Sequence, residues 1–255
     1  MLFDTHCHLY DEKYEEGIDR VIARSFERGV DLLMLVGDNA KHSEICALTA
    51  KRYENVYASI GIHPLEIDSI GLDEIETRLA PLLSEKIKAV GEIGLDYYWN
   101  KDETLRERQK AYFIRQIAIA DRWNLPVIIH ARDSVEDALE IVKEHPCRKK
   151  GVFHCFSGSV EQMRRIVRMG YSIGLDGPVT YKNAITPKEV AKAVDLSSLV
   201  VETDSPYLPP VPYRGKINYP EYVRRVIEEI AALRGLRPEE IEEITFQNGK
   251  RLFGL

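Results

Sequence analysis

Short apolar runs rich in β-branched residues recur along this chain, and between them lie longer stretches of helical period. The runs fall at 2–4, 31–36, 56–60, 87–90, 126–129, 151–153, 171–173 and 198–201. Each ends on polar residues or glycine, the pattern of parallel strands buried on both faces. Between them, segment 17–28 sets Ile18, Val21, Ile22 and Phe26 at helical spacing. Segments 104–123, 135–144, 160–169 and 187–193 behave likewise. Eight strands alternating with helices predict an α/β fold, specifically a closed (β/α)8 TIM barrel. Segments 219–234 and 238–253 then supply the closing helix and an extra C-terminal one.

An open, doubly wound sheet is the rival architecture. It is disfavoured because no Gly-rich phosphate loop follows the first run. No repeat, low-complexity tract or linker interrupts the sequence, so residues 1–255 read as one domain.

Composition narrows the function. The net charge of −6 excludes a protein that coats nucleic acid by charge alone. Any phosphate-bearing substrate then needs local positive charge, such as bound metal. The opening residues Met1-Leu2-Phe3-Asp4-Thr5-His6 show no basic stretch ahead of an apolar run. No apolar run reaches the roughly 20 residues of a membrane helix. Cys7, Cys46, Cys147 and Cys155 form no CxxC pair. They read as free thiols, which sets the expected location in a reducing cytoplasm, away from membranes.

The ionisable residues fall at the strand ends. His6 and His8 follow the first run two residues apart, a spacing that points both side chains to one side. Glu92 follows the fourth run, His130 ends the fifth, His154 the sixth, and Glu202 and Asp204 the eighth. Barrel active sites are built from the carboxyl ends of several strands. Neutral imidazole and carboxylate suit zinc and other first-row divalent ions. Two such ions need a bridge, and a carboxylate such as Glu92 can provide one.

Other polar residues read differently. Asp4 orients neighbours rather than ligating. His42 and His145 lie in helical surface segments and read as solvated. Cys7 and Cys155 flank candidate ligands as packing residues. His63, in Gly61-Ile62-His63-Pro64, ends the third run and reads as a substrate or phosphate contact, with metal ligation and a structural role as its alternatives. Arg132 is a second anion-gripping candidate, with a salt bridge to Asp133 or Asp96 as its plainer role.

The ordered set Asp4-Thr5-His6-Cys7-His8, Gly61-Ile62-His63-Pro64, Gly91-Glu92-Ile93-Gly94-Leu95-Asp96-Tyr97, His130-Ala131-Arg132, His154-Cys155-Phe156-Ser157-Gly158 and Glu202-Thr203-Asp204-Ser205-Pro206-Tyr207 resembles the TatD family of metal-dependent deoxyribonucleases. The resemblance runs along essentially the whole chain, with Arg214-Gly215-Lys216 and Asn248…Arg251-Leu252-Phe253 fitting as well. It implies two divalent ions, of zinc, manganese or magnesium. By it His6, His8 and Asp204 hold one ion, His130 and His154 the other, and Glu92 bridges them. One departure is Leu65, where many relatives carry His. The implied partner is DNA or another phosphodiester substrate, cut 3′→5′ from single strands. Oligomeric state, with a monomer among the options, is left open.

With the ions in place, Asp204 and Glu92 are the candidate catalytic carboxylates, Asp204 as the group that holds or relays a proton. His63, Arg132 and Tyr97 are the candidate substrate contacts, with Tyr98 and Trp99 beside them for base stacking or for packing. Glu202 and Asp96 are expected to orient ligand imidazoles from behind. Two other functions remain open at this level. One is a cyclic-amide or other C–N or ester hydrolase of the amidohydrolase type. That class often bridges its metals with a modified lysine, and no lysine ends a strand here. The other is a non-enzymatic metal-binding protein.

Overall fold

A computed structural model describes residues 1–255. Its strands are β1 (Phe3–Cys7), β2 (Leu32–Val36), β3 (Val56–Ile60), β4 (Ile87–Asp96), β5 (Val127–Arg132), β6 (Gly151–Phe153), β7 (Ser172–Leu175) and β8 (Leu199–Val201). They form one eight-stranded sheet in sequence order, and the strand pairs are parallel. Between them run helices α1 (Ile18–Glu27), α2 (Ala40–Ala50), α3 (Ile75–Leu79), α4 (Glu103–Trp123), α5 (Val135–Glu144), α6 (Val160–Arg168) and α7 (Ile185–Ala193). Helices α8 (Val223–Arg234) and α9 (Pro238–Phe253) end the chain. This is a (β/α)8 barrel with one added C-terminal helix. Consecutive residues Leu33, Met34, Leu35 and Val36 of β2 are all buried, as expected of a strand covered on both faces. Each such side chain contributes roughly 1.5–3 kcal/mol over leaving it in water. No helix is long and apolar enough to cross a membrane. All four cysteines are free thiols.

The chain groups into two compact units. The first comprises Met1–Leu35, Cys155–Val167 and Ser172–Leu255. In it the last strand meets the first. The Asp204 N–H donates to the His6 carbonyl at 3.0 Å, and the His8 N–H to the Ser205 carbonyl at 2.7 Å. Cys7, at the end of β1, pairs in parallel with Ser205, just past β8. The buried Asp4 carboxylate accepts from the Thr203 N–H at 2.9 Å and the Thr203 hydroxyl at 2.6 Å. Helix α9 packs over this closure, with Phe253 edge-on to Phe3 and the Asn248 amide donating to the carbonyls of Leu196 and Leu199.

The second unit comprises Val36–His154 and Arg168–Tyr171. Its central strand, β4, is longer than the apolar run at 87–90 predicts. After an irregularity between Val90 and Ile93 it keeps pairing with β5, with Gly94 opposite His130 and Asp96 opposite Arg132. Glu92 therefore lies within a strand rather than after one, and β5 likewise continues through His130 to Arg132. Glycines at 91 and 94 interrupt the apolar pattern, which is why the sequence reading stops early. Helix α2 also escapes that reading: its Ala-, Ser- and Thr-rich sequence carries little apolar periodicity, and its start rests on Asn39, which accepts from the His42 N–H at 2.9 Å.

Two glutamines of α4 tie down the strand ends beside it. The Gln116 side chain exchanges hydrogen bonds with both backbone groups of Ile62. The Gln109 carbonyl accepts from the Asp96 N–H at 3.0 Å, and its amide donates to the carbonyls of Pro64 and Asp96. Both side chains are buried, so Gln109→Ala strands a backbone N–H and two carbonyls. The expected loss is about 3 kcal/mol or more, from the roughly 1–3 kcal/mol that each of these three buried unsatisfied groups costs. Urea denaturation measures it; an unchanged midpoint would show that water replaces the amide at no cost.

Candidate metal centre

In the first unit, β1 and the residues just past it carry His6 and His8. Their Nε2 atoms lie 3.0 Å apart. The Asp204 Oδ1, past the end of β8, lies 3.6 Å from His6 Nε2 and 3.4 Å from His8 Nε2. Donor atoms held by one tetrahedral zinc at about 2.0–2.1 Å sit about 3.3 Å from each other. The three side chains thus already have the spacing of a single ion's ligands. His8 is aimed by the Tyr10 hydroxyl, 2.8 Å from its other nitrogen. Asp204 has φ 55°, a left-handed conformation that Asp tolerates better than most residues.

Around this group stand further buried carboxylates. Burial pushes the Asp4 carboxyl well above the ordinary range, against the hydrogen bonds from Thr203 and the His6 N–H. Glu202 accepts from the Cys155 N–H at 2.5 Å. Its carboxylate occupies the space a side chain on Gly174 would fill, 2.7 Å from the ideal Cβ position. An oxygen of Glu202 also comes within 4.8 Å of a His6 nitrogen. Cys155, Asp176 and Asp204 bring their ligand atoms within 4.8 Å of one another. Burial, then the negative charges of Asp176 and Asp204, push the Cys155 thiol far up, so it stays protonated. Asn218 fixes the loop past Asp204 by donating to the carbonyls of Thr203 and Tyr207.

The second unit holds a separate group. Glu92 Oε1 lies 2.7 Å from His154 Nε2, 2.8 Å from His130 Nδ1 and 3.5 Å from His63 Nε2. The two nearer imidazoles lie 3.2 Å from each other. Burial alone would raise the Glu92 pKa. The His154 and His63 imidazoles and the hydrogen bonds from His130 and His154 reverse this and hold it well below the usual carboxylate range. His130 works against its own burial too: hydrogen bonds to Asp96 and Glu92 raise its pKa. Asp96 Oδ2 lies 3.1 Å from His130 Nε2, so it holds the nitrogen facing away from Glu92.

His63 differs from its neighbours. Burial pushes its pKa down to about 4, so it is neutral. Its Nδ1 accepts from the Leu65 N–H at 3.1 Å, which places the ring proton on Nε2, the atom facing Glu92. His63 therefore presents a donor where His130 and His154 present potential ligands.

The remaining sequence candidates fall around this group. The Arg132 guanidinium lies over the Tyr98 ring, 3.9 Å from its centroid, rather than on Asp133 or Asp96. Tyr97 is half-buried: its hydroxyl donates to Asp137 at 2.8 Å and Arg106 lies over its ring. His42 is not merely solvated, since its Nδ1 lies 2.6 Å from Asp38. Sequence reading passed over Tyr10, Gln109 and Asn218; the only trace they left was a polar side chain in or beside an apolar segment.

The donor set fits divalent metal. Each unit offers at least two imidazoles and a carboxylate with ligand-like spacing. The family profile described as TatD related DNase matches residues 3–254. The chain is 43% identical over 256 residues to the uncharacterized metal-dependent hydrolase YabD of Bacillus subtilis, covering 99% of each chain. It is 38% identical over 258 residues to the uncharacterized metal-dependent hydrolase YcfH of Escherichia coli, covering 99% of this chain and 95% of that one. Among solved structures, the TatD homolog YjjV of Escherichia coli superposes with a TM-score of 0.93 at 32% identity, covering 100% of this chain and 98% of the other.

Proposed function

Since the chain belongs to the TatD family of metal-dependent hydrolases, we propose that it hydrolyses phosphodiester bonds of nucleic acid as a deoxyribonuclease, removing nucleotides 3′→5′ from single strands. The observation that carries the reading is the doubled imidazole–carboxylate arrangement, His6, His8 and Asp204 in one unit and His130, His154 and Glu92 in the other. A glutamate stands where amidohydrolases often use a modified lysine, and no strand ends on lysine.

Each group would hold one divalent ion. Imidazole-rich donors favour zinc or manganese over magnesium. Such ions, when bound, supply Lewis acidity toward phosphate and a nucleophile at neutral pH. The chain's own groups do the rest. Asp204 takes the proton that the attacking water loses and passes it on. Asp96 keeps the His130 ring in one orientation. The His63 Nε2–H and the Arg132 guanidinium donate to non-bridging phosphate oxygens as charge builds there. Local cations thus replace the basic surface that a net charge of −6 denies the protein.

The test is an assay of purified protein on end-labelled single-stranded and duplex oligonucleotides across a metal series, beside a dihydropyrimidine. Chelator-sensitive release of nucleotides from single strands is the expected result. Hydrolysis of the cyclic amide with intact oligonucleotides would sink the proposal.

A further inference from the structure

The loop between β4 and α4 carries three successive aromatics, Tyr97, Tyr98 and Trp99, and they are used differently. Tyr97 is anchored through Asp137 and Arg106. Tyr98 and Trp99 face water, with 44% and 64% of their surface exposed. Their rings meet edge to face with centroids 4.9 Å apart. The Arg132 guanidinium lies 3.9 Å from the Tyr98 centroid and 5.9 Å from that of Trp99. Single exposed apolar side chains are ordinary on a protein surface. Two adjacent aromatics with a guanidinium over them at a strand end form a small patch of π-faces and positive charge.

The patch is fixed to the metal centre by one side chain. Asp96 Oδ1 accepts from the Trp99 N–H at 3.0 Å, while Oδ2 lies 3.1 Å from His130 Nε2. The carboxylate that orients a candidate ligand therefore also sets where Trp99 leaves the loop. A phosphate held near His130 would place the sugar and base attached to it within reach of this patch.

We propose that Trp99, Tyr98 and Arg132 form a stacking platform that takes an unpaired base of a single-stranded nucleic acid and so selects strands with unstacked ends. The inference rests on the phosphodiester reading of the centre and assigns to these three residues the preference for single strands that the reading includes. Every base has a π-face, so a platform of this kind is tolerant of sequence. A guanidinium stacked on an aromatic ring keeps N–H donors for the adjoining phosphate. A base inside a duplex has both faces covered by its neighbours, so only an unpaired one can be stacked in this way.

The sequence holds two tryptophans, Trp99 and Trp123, so W123F leaves Trp99 as the only indole. That variant, loaded with metal, is titrated with a phosphorothioate-linked oligothymidylate, with a strand of the same length made of abasic nucleotides, and with a duplex. Anisotropy of labelled strands gives the affinities independently of the indole. Quenching of Trp99 by the oligothymidylate alone is expected. Trp99→Ala should weaken oligothymidylate binding about 10- to 100-fold, the range that loss of one stacked base gives. It should leave the abasic strand unaffected, and Trp99→Phe should stay within about 3-fold of the parent. Quenching without nucleotide release under any metal would leave the platform standing and remove the hydrolytic reading. Equal weakening of both strands in Trp99→Ala, or no weakening of either, overturns the platform. Concentration-dependent quenching without nucleic acid also overturns it, because the patch would then join copies of the chain.

Discussion

Glu92→Gln should remove about 10³-fold or more of the hydrolytic rate and lower the bound metal while the barrel stays folded. The substitution keeps size and shape but replaces a buried carboxylate by an amide. Three imidazole nitrogens lie within 3.5 Å of the affected oxygen. Removing a group that only orients a ligand typically costs 10- to 100-fold in metal affinity or activity. A group that faces two candidate ligands at 2.7 and 2.8 Å should cost more. Asp96→Asn supplies the internal comparison. Asp96 meets the far nitrogen of His130 and the Trp99 N–H but neither nitrogen that faces Glu92, so its expected loss is the smaller one, about 10- to 100-fold. Elemental analysis, turnover and circular dichroism on both variants read the difference. Wild-type turnover in Glu92→Gln after exhaustive chelation would end the metal-dependent account.

The second large effect is on stability. Gly94 lies in β4 with φ 139°, and a Cβ there would sit 2.0 Å from the His130 carbonyl oxygen. That contact is with backbone, which cannot swing aside, and the φ is one that L side chains rarely adopt. Gly94→Ala should therefore cost about 3–5 kcal/mol, from overpacking and positive-φ strain together. For a chain of this size that lowers the melting temperature by about 10 °C or more. A thermal melt beside Gly254→Ala separates space from conformation, since Gly254 has φ 66° but nothing within 4 Å of its Cβ position. A midpoint for Gly94→Ala as high as that of Gly254→Ala would show that β4 and β5 can part at no great cost.

These two residues also mark where the sequence was easy to read and where it was not. Strands β3 and β6 and helices α5 and α9 match their apolar patterns end to end. Periodicity measures burial of side chains, and those elements are buried by their side chains. β4 passes through an irregularity at Gly91-Glu92 and resumes its pairing from Ile93 to Asp96, so over Gly91-Glu92-Ile93-Gly94 two positions have no side chain and one is charged. No apolar pattern can report such a strand. The ionisable residues of the centre were legible because so many stand at strand ends. Their supports were not: Gln109 and Asn218 act through hydrogen bonds to backbone groups 11 or more residues away, and Tyr10 through one to a neighbouring ring. His63 shows the same limit. Its place at a strand end was readable, but its proton on Nε2 depends on the backbone N–H of Leu65.

The stitch between β1 and β8 has a consequence for the order in which the protein comes into being. Asp4 meets Thr203 across 199 residues of chain, and His6 and His8 meet Asp204 across nearly as many. During synthesis His6 and His8 emerge well before their carboxylate partner, Asp204. His63, Glu92, His130 and His154 all lie within one continuous stretch and are present together well before that. Closing so long a loop is slow. The nascent protein therefore offers the donor set of one unit while the other still has an unfinished pair of imidazoles, so the two candidate donor groups come into existence at different times.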